Sequence, residues 1–339
     1  MQTIWFGLWG ILWAVYFMLG GFDLGLGTLM PVLARSEEDR QTIRNAIGPF
    51  WNGNEVWLIT AGGVTFAAFP TTYSVLFSSL YTPLLMILFA LIIRAAAFEF
   101  RNESKSMVWR KLWDIGLTLG SFVPALLFGV AFANLFRGIP IDGEGVYRGN
   151  LLTLLNPYGL LGGVLFVLLF AVHGTIWLTT KSQGDLHRRA ASMARKLWMV
   201  LLIVAVAFFI ATAPATGLYG NYVKLPIVFV IPAGAFAALL AVRLCLARKK
   251  WWKAWFSSGV LIVFATLFGV AGLYPNLIVS SIDPKYSLTA TNSSSSPLTL
   301  KIMLVVVLVF VPIVIVYQAW AYNIFKHRLT EKDLGHEGY

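Results

Sequence analysis

The chain has 339 residues, of which 58% are apolar, 15% aromatic and only 12% charged. This composition excludes an ordinary soluble domain, because several apolar runs exceed the roughly 20 residues that span a bilayer. The formal net charge of +11 would suggest nucleic-acid binding in a soluble protein, but here the basic residues lie between apolar runs, so no nucleic-acid partner is expected.

The apolar segments predict an all-α polytopic membrane protein with about nine transmembrane helices. In chain order they cover residues 4–33, 49–69, 74–100, 111–136, 155–180, 197–214, 225–247, 254–279 and 300–325. We expect a single membrane domain, 1–339, with one four-helix bundle at 1–136, a second at 155–279 and an extra last helix at 298–325. A faint similarity between the first helices of the two halves favours this division.

The basic residues of the loops predict the orientation of the chain. Clusters of Lys and Arg occur in alternate connections, and the positive-inside rule assigns such clusters to the cytoplasmic side. They lie at 35–44, 101–110, 181–195 and 248–253, and the tail adds Lys326, Arg328 and Lys332. We therefore expect a multi-pass protein with its N-terminus outside and its C-terminus in the cytoplasm.

Residues 51–57, with the sequence WNGNEVW, place a carboxylate and two amides at the mouth of the second apolar segment. An ionisable group at membrane depth costs several kcal/mol unless it is paired, hydrated or neutralised, so it indicates a functional site. Asn52 and Glu55 stand at helical spacing on one face, which Gly62 continues and which another helix can approach closely. The alternative is a capping cluster, in which Asn52 or Asn54 satisfies free backbone donors.

Further charged groups occur in the first half of the chain, all on the predicted cytoplasmic side. Asp23 lies among glycines, Arg94 and Glu99 lie near the end of the third apolar segment, and Asp114 lies at the start of the fourth. We regard Asp23, Asn52, Glu55, Arg94, Glu99 and Asp114 as candidates for a proton path entered from inside. Two alternatives stay open: Asp23 only makes a hydrogen bond at a tight helix crossing, or Arg94 only forms a structural ion pair.

The second half is nearly free of charge, and His173 is its only titratable group well inside a span. We interpret it as a polar contact within the second bundle, either a ligand or a hydrogen-bonded core histidine. A membrane haem needs two axial ligands across a bundle core, and the other histidines, His187, His327 and His336, lie outside the core. The single Cys245 excludes a cysteine cluster, so we expect neither haem ligation nor a metal site in this chain.

Several motifs along nearly the whole chain resemble subunit II of the bacterial cytochrome bd quinol oxidases. They lie at 20–25 (GGFDLG), 51–58 (WNGNEVWL), 62–63 (GG), 66–70 (FAAFP), 94–101 (Arg94 to Arg101), 120–124 (GSFVP), 173–174 (HG) and 296–301 (SPLTLK). One position departs from the family pattern: many members carry an acidic residue where this chain has Asn52. An amide cannot carry a proton as a carboxylic acid does, so a path here would use water or Glu55.

The resemblance implies a subunit of an electrogenic terminal oxidase in the bacterial cytoplasmic membrane, which oxidises quinol and reduces dioxygen to water. It implies that haem b and haem d belong to an obligate partner, subunit I, and that this chain carries no complete active site and no catalytic residue. The expected role is to stabilise subunit I and to contribute to a cytoplasmic proton path. A structural quinone, a small accessory subunit and membrane lipid are further partners in some members.

A proton-coupled secondary transporter is the alternative function, because it too would be polytopic with buried carboxylates. A transporter is expected to show broken helices and a charged substrate site near the midplane. The clustering of the acids on one side favours the oxidase subunit.

Overall fold

The computed structural model describes residues 1–329, so Lys332 and His336 lie outside the described residues. The chain is almost entirely helical, as expected. The α-helices are α1 Gln2–Leu33, α2 Glu37–Ile47, α3 Trp51–Ala68, α4 Pro70–Ser79, α5 Tyr81–Phe100, α6 Met107–Arg137, α7 Leu151–Leu154, α8 Pro157–Lys181, α9 Gly184–Ala215, α10 Tyr219–Lys224, α11 Val230–Ala247, α12 Trp251–Leu273 and α13 Pro297–Ile324. A small antiparallel hairpin, β1 Asn276–Ile278 and β2 Leu288–Thr289, lies between α12 and α13.

Eight helices of the described chain are long and apolar enough to cross a membrane: α1, α5, α6, α8, α9, α11 with the 3-10 turn before it, α12 and α13. The second predicted segment forms α3, which is not among the eight. It carries Asn52, Asn54 and Glu55 within its 18 residues, and these polar groups lower its hydropathy. The predicted number of nine is therefore approximate.

Two prolines explain where the helix bounds differ from the predicted segments. The segment predicted at 74–100 is divided into α4 and α5. Pro83 has no N–H to donate to the carbonyl of Ser79, four residues earlier, and its ring clashes with that carbonyl, so a continuous helix is interrupted there. The segment predicted at 254–279 ends as a helix at Leu273, and Pro275 follows. A residue before proline is disfavoured in the helical conformation, so the chain leaves the helix there and enters β1.

An additional helix, α2, follows α1 and was not among the predicted segments. Its N-cap Ser36 accepts a hydrogen bond from the backbone of Asp39, whose side chain accepts one in return from Ser36, which is a capping box. Its acidic first turn suits the positive end of a helix dipole. This short helix connects α1 to α3.

Helix α1 lies at the centre and packs against α3, α6, α8 and α12. The crossing of α1 and α8 is close because both helices present glycine: a Cβ on Gly25 would overlap the Phe170 carbonyl, and one on Gly174 would lie 2.5 Å from the Phe22 carbonyl. Contacts of α5 with α6, of α8 with α9 and of α11 with α12 complete the packing. The predicted halves are thus joined through α1, α6 and α8.

Helix α13 is peripheral, and in the described chain it buries only Leu300 fully. The carbonyl of Phe325, the C-cap residue of α13, accepts a hydrogen bond from the buried Lys181 ammonium, which lies 4.6 Å from the Trp177 ring centroid. A cation over an aromatic face at the carbonyl end of a helix is stabilising. Lys181 therefore fastens the last turn of α13 to the end of α8.

Candidate functional site

Three helices bring Asp23, Glu55 and Arg94 together in one cluster, which we call the carboxylate–arginine triad. Arg94 of α5 places Nη2 2.8 Å from Asp23 Oδ1 on α1 and Nη1 2.7 Å from Glu55 Oε1 on α3. The Arg94 and Asp23 side chains are 0% and 2% exposed, whereas Glu55 is 22% exposed. One buried and one partly exposed acid therefore share one guanidinium, and Glu55 is the member nearest the surface of the chain.

The position of Arg94 depends on the packing of α5 against α6. Gly120 of α6 faces it, and a Cβ there would lie 2.7 Å from Arg94 Cβ and 2.6 Å from the Ala90 carbonyl. On its other side the guanidinium lies 5.9 Å from the Trp51 ring and 5.5 Å from the Phe98 ring, which stack on each other. Such cation–π contacts stabilise a desolvated cation, so the aromatic pair and the glycine contact hold Arg94 between the two acids.

Asn54 links the triad to α13. Its amide nitrogen donates to Asp23 Oδ2 at 3.0 Å and to the Leu19 carbonyl at 2.9 Å. Its oxygen accepts from Gln318 Nε2 at 3.0 Å and from the Tyr322 hydroxyl at 3.4 Å. With two donors and two acceptors engaged, the amide is fully satisfied and its orientation is determined by its partners.

Asn52 and Glu99 lie outside the triad. Both are exposed, on α3 and α5 respectively, and neither bonds to Asp23, Glu55 or Arg94 in the described chain. The face that carries Asn52 is open: a Cβ on Gly62 would meet nothing within 4 Å in this chain. The capping interpretation of this stretch is wrong, because the N-cap of α3 is Phe50 without a side-chain cap, and Asn54 bonds to α1 instead.

Asp114 belongs to a second charged cluster, at the cytoplasmic ends of α2, α5 and α6 as we predict them. Arg101 donates to both oxygens of Asp114, at 2.5 and 3.0 Å, and to both of Glu37, at 2.6 and 2.9 Å. The hydrogen bonds from Arg101 lower the pKa of Glu37, although partial burial opposes them. Arg40 also approaches Asp114, at 3.4 Å. This network anchors α2 to the first helices.

The comparisons with known proteins agree with the resemblance drawn from the motifs. The family model described as cytochrome bd terminal oxidase subunit II matches residues 1–325. The chain belongs to this family. It is 35% identical to the cytochrome bd ubiquinol oxidase subunit 2 of Bacillus subtilis (strain 168), over 98% of both chains. It is 34% identical to the cytochrome bd-I ubiquinol oxidase subunit 2 of Escherichia coli (strain K12), over 98% of this chain and 96% of the relative.

A solved structure supports the fold. The bd oxidase from Geobacillus thermodenitrificans contains a chain that superposes with a TM-score of 0.73 at 16% sequence identity, covering 96% of this chain and 98% of that one. The protein is therefore subunit II of a cytochrome bd-type terminal oxidase, an integral membrane part of a haem-containing, multi-subunit complex with subunit I. These relatives give no support to the transporter alternative.

In this subunit II, His173 is a hydrogen-bonded core residue. Its Nε2 donates to the Met18 carbonyl at 3.1 Å, its Nδ1 lies 2.7 Å from the Ser258 hydroxyl, and its ring stacks on Trp255 at 5.5 Å. An axial haem ligand needs a free ring nitrogen, and both nitrogens are engaged. Among the described residues no group of three or more His, Cys, Asp or Glu side chains could hold a metal ion. His173 thus does not fit an axial ligand of a haem.

An apolar cavity of 750 Å³ lies between α1, α12 and α13 of the subunit. Apolar side chains such as Trp5, Met18 and Trp255 line most of it, and Gln318 and Tyr322 are polar groups of its wall. Gln318 also accepts a hydrogen bond from the Trp57 indole at 2.8 Å. The cavity therefore adjoins the side chains that orient Asn54 beside the triad.

Reasoning from the sequence missed the contribution of α13 to the site. Asn54 was considered only as a cap, and Gln318 and Tyr322 not at all. One signal was present, since Gln318 is an amide well inside the last apolar segment, where an unsatisfied polar group is costly. The partner of such a group cannot be read from the sequence, because it lies 264 residues away at Asn54.

Proposed function

We propose that this subunit provides the cytoplasmic entry of a proton path that leads to the oxygen-reducing haem of subunit I. The carboxylate–arginine triad is the observation that carries the proposal. Buried acids at membrane depth are costly and are typical of proton relays. Glu55 is the partly exposed member, and its helix α3 has an exposed face that includes Asn52, Val56 and Ile59, so a proton can pass from Glu55 to a neighbouring subunit.

The orientation of the subunit determines what this path achieves. We propose an outside N-terminus and a cytoplasmic C-terminus, supported by the basic clusters of alternate loops. Haem b and haem d, bound in subunit I, supply the reduction of dioxygen when electrons arrive from quinol. Proton uptake from inside, combined with quinol protons released outside, moves charge across the membrane at about 2.3 kcal/mol per charge per 100 mV.

The contact with subunit I is proposed to use the exposed apolar faces of α3 and α5. Ile59 is 73% exposed, Phe66 is 60% exposed, and Phe89 of α5 is 55% exposed. Glycines on α3 leave room for another helix, since a Cβ on Gly53 or Gly63 would meet nothing within 4 Å in this chain. Small residues allow close helix packing in membranes. A large apolar contact of this kind is typical of an obligate partner.

The cavity between α1, α12 and α13 is proposed as the place for a structural quinone. Its volume and its apolar lining suit a ring with an isoprenoid tail. The Gln318 amide has a second N–H beside the one donated to Asn54, and this N–H can donate to a quinone oxygen. Quinol oxidation itself is assigned to subunit I, so a quinone here would support the structure of the oxidase.

Neutral variants of the two acids test the proton path. In the purified oxidase, Glu55→Gln and Asp23→Asn keep the side-chain shape and remove the exchangeable acid, so we expect a reduced rate of oxygen consumption with unchanged haem content. Glu99→Gln is the matched control, because Glu99 is exposed on α5 and makes no contact with the triad. Full turnover in both acid variants, singly and together, would show that the path does not run here.

A further inference from the structure

We propose that the triad holds one exchangeable proton, that this proton resides on Glu55, and that Asp23 is the fixed counter-ion of Arg94. The inference rests on the proposed proton path and deepens it, since it assigns different roles to two acids that the path alone treats alike. It is carried by the count of buried charges and by the partners of each carboxylate oxygen.

The charges of the triad do not balance when both acids are ionised. A guanidinium stays protonated in proteins, so two ionised carboxylates around Arg94 would leave a net charge of −1. The other polar or titratable groups around the triad are neutral: Tyr16 on α1, Asn54 on α3, and Gln318 and Tyr322 on α13, and α6 meets Arg94 with Gly120. An unpaired charge away from water is costly, so the triad is most stable when it has bound one proton.

The hydrogen bonds of Asp23 disfavour that proton there. Its Oδ1 lies 2.8 Å from the Arg94 guanidinium, and its Oδ2 accepts from the Asn54 amide at 3.0 Å. The amide cannot turn its oxygen toward Asp23, because its oxygen already accepts from Gln318 and because its nitrogen also donates to the Leu19 carbonyl. A proton on Oδ2 would displace the Asn54 donor, and a proton on Oδ1 would remove the negative charge that lies 2.8 Å from the Arg94 guanidinium. Asp23 is therefore held as a carboxylate.

Glu55 offers the opposite arrangement. Only Oε1 is paired, with Arg94 Nη1 at 2.7 Å, and within residues 1–329 no hydrogen-bond partner is found for Oε2. With 22% of its side chain exposed, Glu55 is also the acid that water can reach. A proton on Oε2 leaves the Arg94 contact intact. In each transfer Oε2 accepts a proton from cytoplasmic water and gives it to water or a base of subunit I, while Arg94 and Asp23 keep their charges.

Infrared spectroscopy of the intact oxidase complex tests the assignment. A protonated carboxyl has a C=O stretching band that shifts on exchange into D2O, and the spectra of wild type and variants are compared at equal haem content. We expect Glu55→Gln to lose the band of one protonated carboxyl. Asp23→Asn should lose it too, with Glu55 still present, because Glu55 then becomes the sole counter-ion of Arg94. Glu99→Gln should leave the band unchanged.

Two results would overturn the proposal. A spectrum without a difference between wild type and Glu55→Gln means that the triad holds no proton. Loss of the band in Glu55→Gln does not locate the proton, because Asp23 then becomes the sole counter-ion of Arg94. Glu55→Asp locates it: the band moves if residue 55 carries the proton, and a band that stays places the proton on Asp23 and overturns the assignment. Turnover separates this from the proton path: reduced turnover of Glu55→Gln with a band that does not move in Glu55→Asp overturns only the assignment, whereas full turnover of Glu55→Gln and Asp23→Asn overturns the path itself.

Discussion

Replacing Arg94 with methionine removes the cation that contacts both Asp23 and Glu55. With charge centres about 4 Å apart and an effective dielectric constant of about 20, the ion pair of Arg94 and Asp23 is worth about 4 kcal/mol before desolvation is subtracted. Removal of one partner of a buried pair generally costs about 3–5 kcal/mol, because the other partner stays buried and unpaired. Since Asp23 is 2% exposed, we expect Arg94→Met to destabilise the subunit within this range.

A charge-free variant provides the matched control. In Arg94→Met with Asp23→Asn and Glu55→Gln the three polar side chains keep their size and no charge is left unpaired, so most of the lost stability should return. The assay is denaturation of the purified oxidase, followed by tryptophan fluorescence and haem absorbance. The reasoning is refuted if Arg94→Met is as stable as wild type, or if the triple variant is no more stable than Arg94→Met.

Three further predictions concern other parts of the subunit. Gly120→Ala should lower the free energy of unfolding by about 1–3 kcal/mol, because the added Cβ forces α5 away from α6. Gly220→Ala should be nearly neutral in the same denaturation assay, because its added Cβ has nothing within 4 Å. Equal effects of the two variants would contradict the packing argument. Lys181→Met should loosen the end of α13, seen as faster hydrogen exchange around Phe325, and unchanged exchange would count against this contact. Because Arg101 lowers the pKa of Glu37, Glu37 stabilises the fold above its ordinary pKa of about 4.3, and this contribution is lost as the pH falls through the lowered pKa. Glu37→Gln should therefore make stability depend less on pH on the acid side. An unaltered dependence would refute the role of this pair.

The fold could be predicted to a large extent because a bilayer restricts a chain to helices of fixed apolar length. The segments of α1, α6 and α8 agree with the sequence for this reason. Proline effects are local, and Pro83 and Pro275 indicate helix breaks in the sequence, although the hydropathy pattern predicts both segments as continuous. The short helix α2 is polar and gives no hydropathy signal, but its Ser36 and Asp39 capping box was visible in the sequence.

The site could be predicted only in part. Asp23, Glu55 and Arg94 were recognised because charge is costly at membrane depth, and the structure brings these three together. The helical spacing of Asn52 to Glu55 predicts that both belong to the site, yet Asn52 is exposed and forms no bond with Arg94 in the described chain. The contacts of Gln318 depend on which helices are neighbours in the membrane, and that information is not local to any segment of the sequence.

The central claim is that protons for oxygen reduction enter through Glu55 from the cytoplasmic side. Charge movement during turnover in liposomes measures this most directly. The oxidase moves net charge across the membrane only if the protons that it consumes come from the side opposite to the one on which quinol releases its protons. We expect Glu55→Gln to reduce the rate of oxygen consumption and the charge moved per second, while Glu99→Gln retains both. A Glu55→Gln oxidase with the wild-type rate and the wild-type charge per dioxygen would contradict the account.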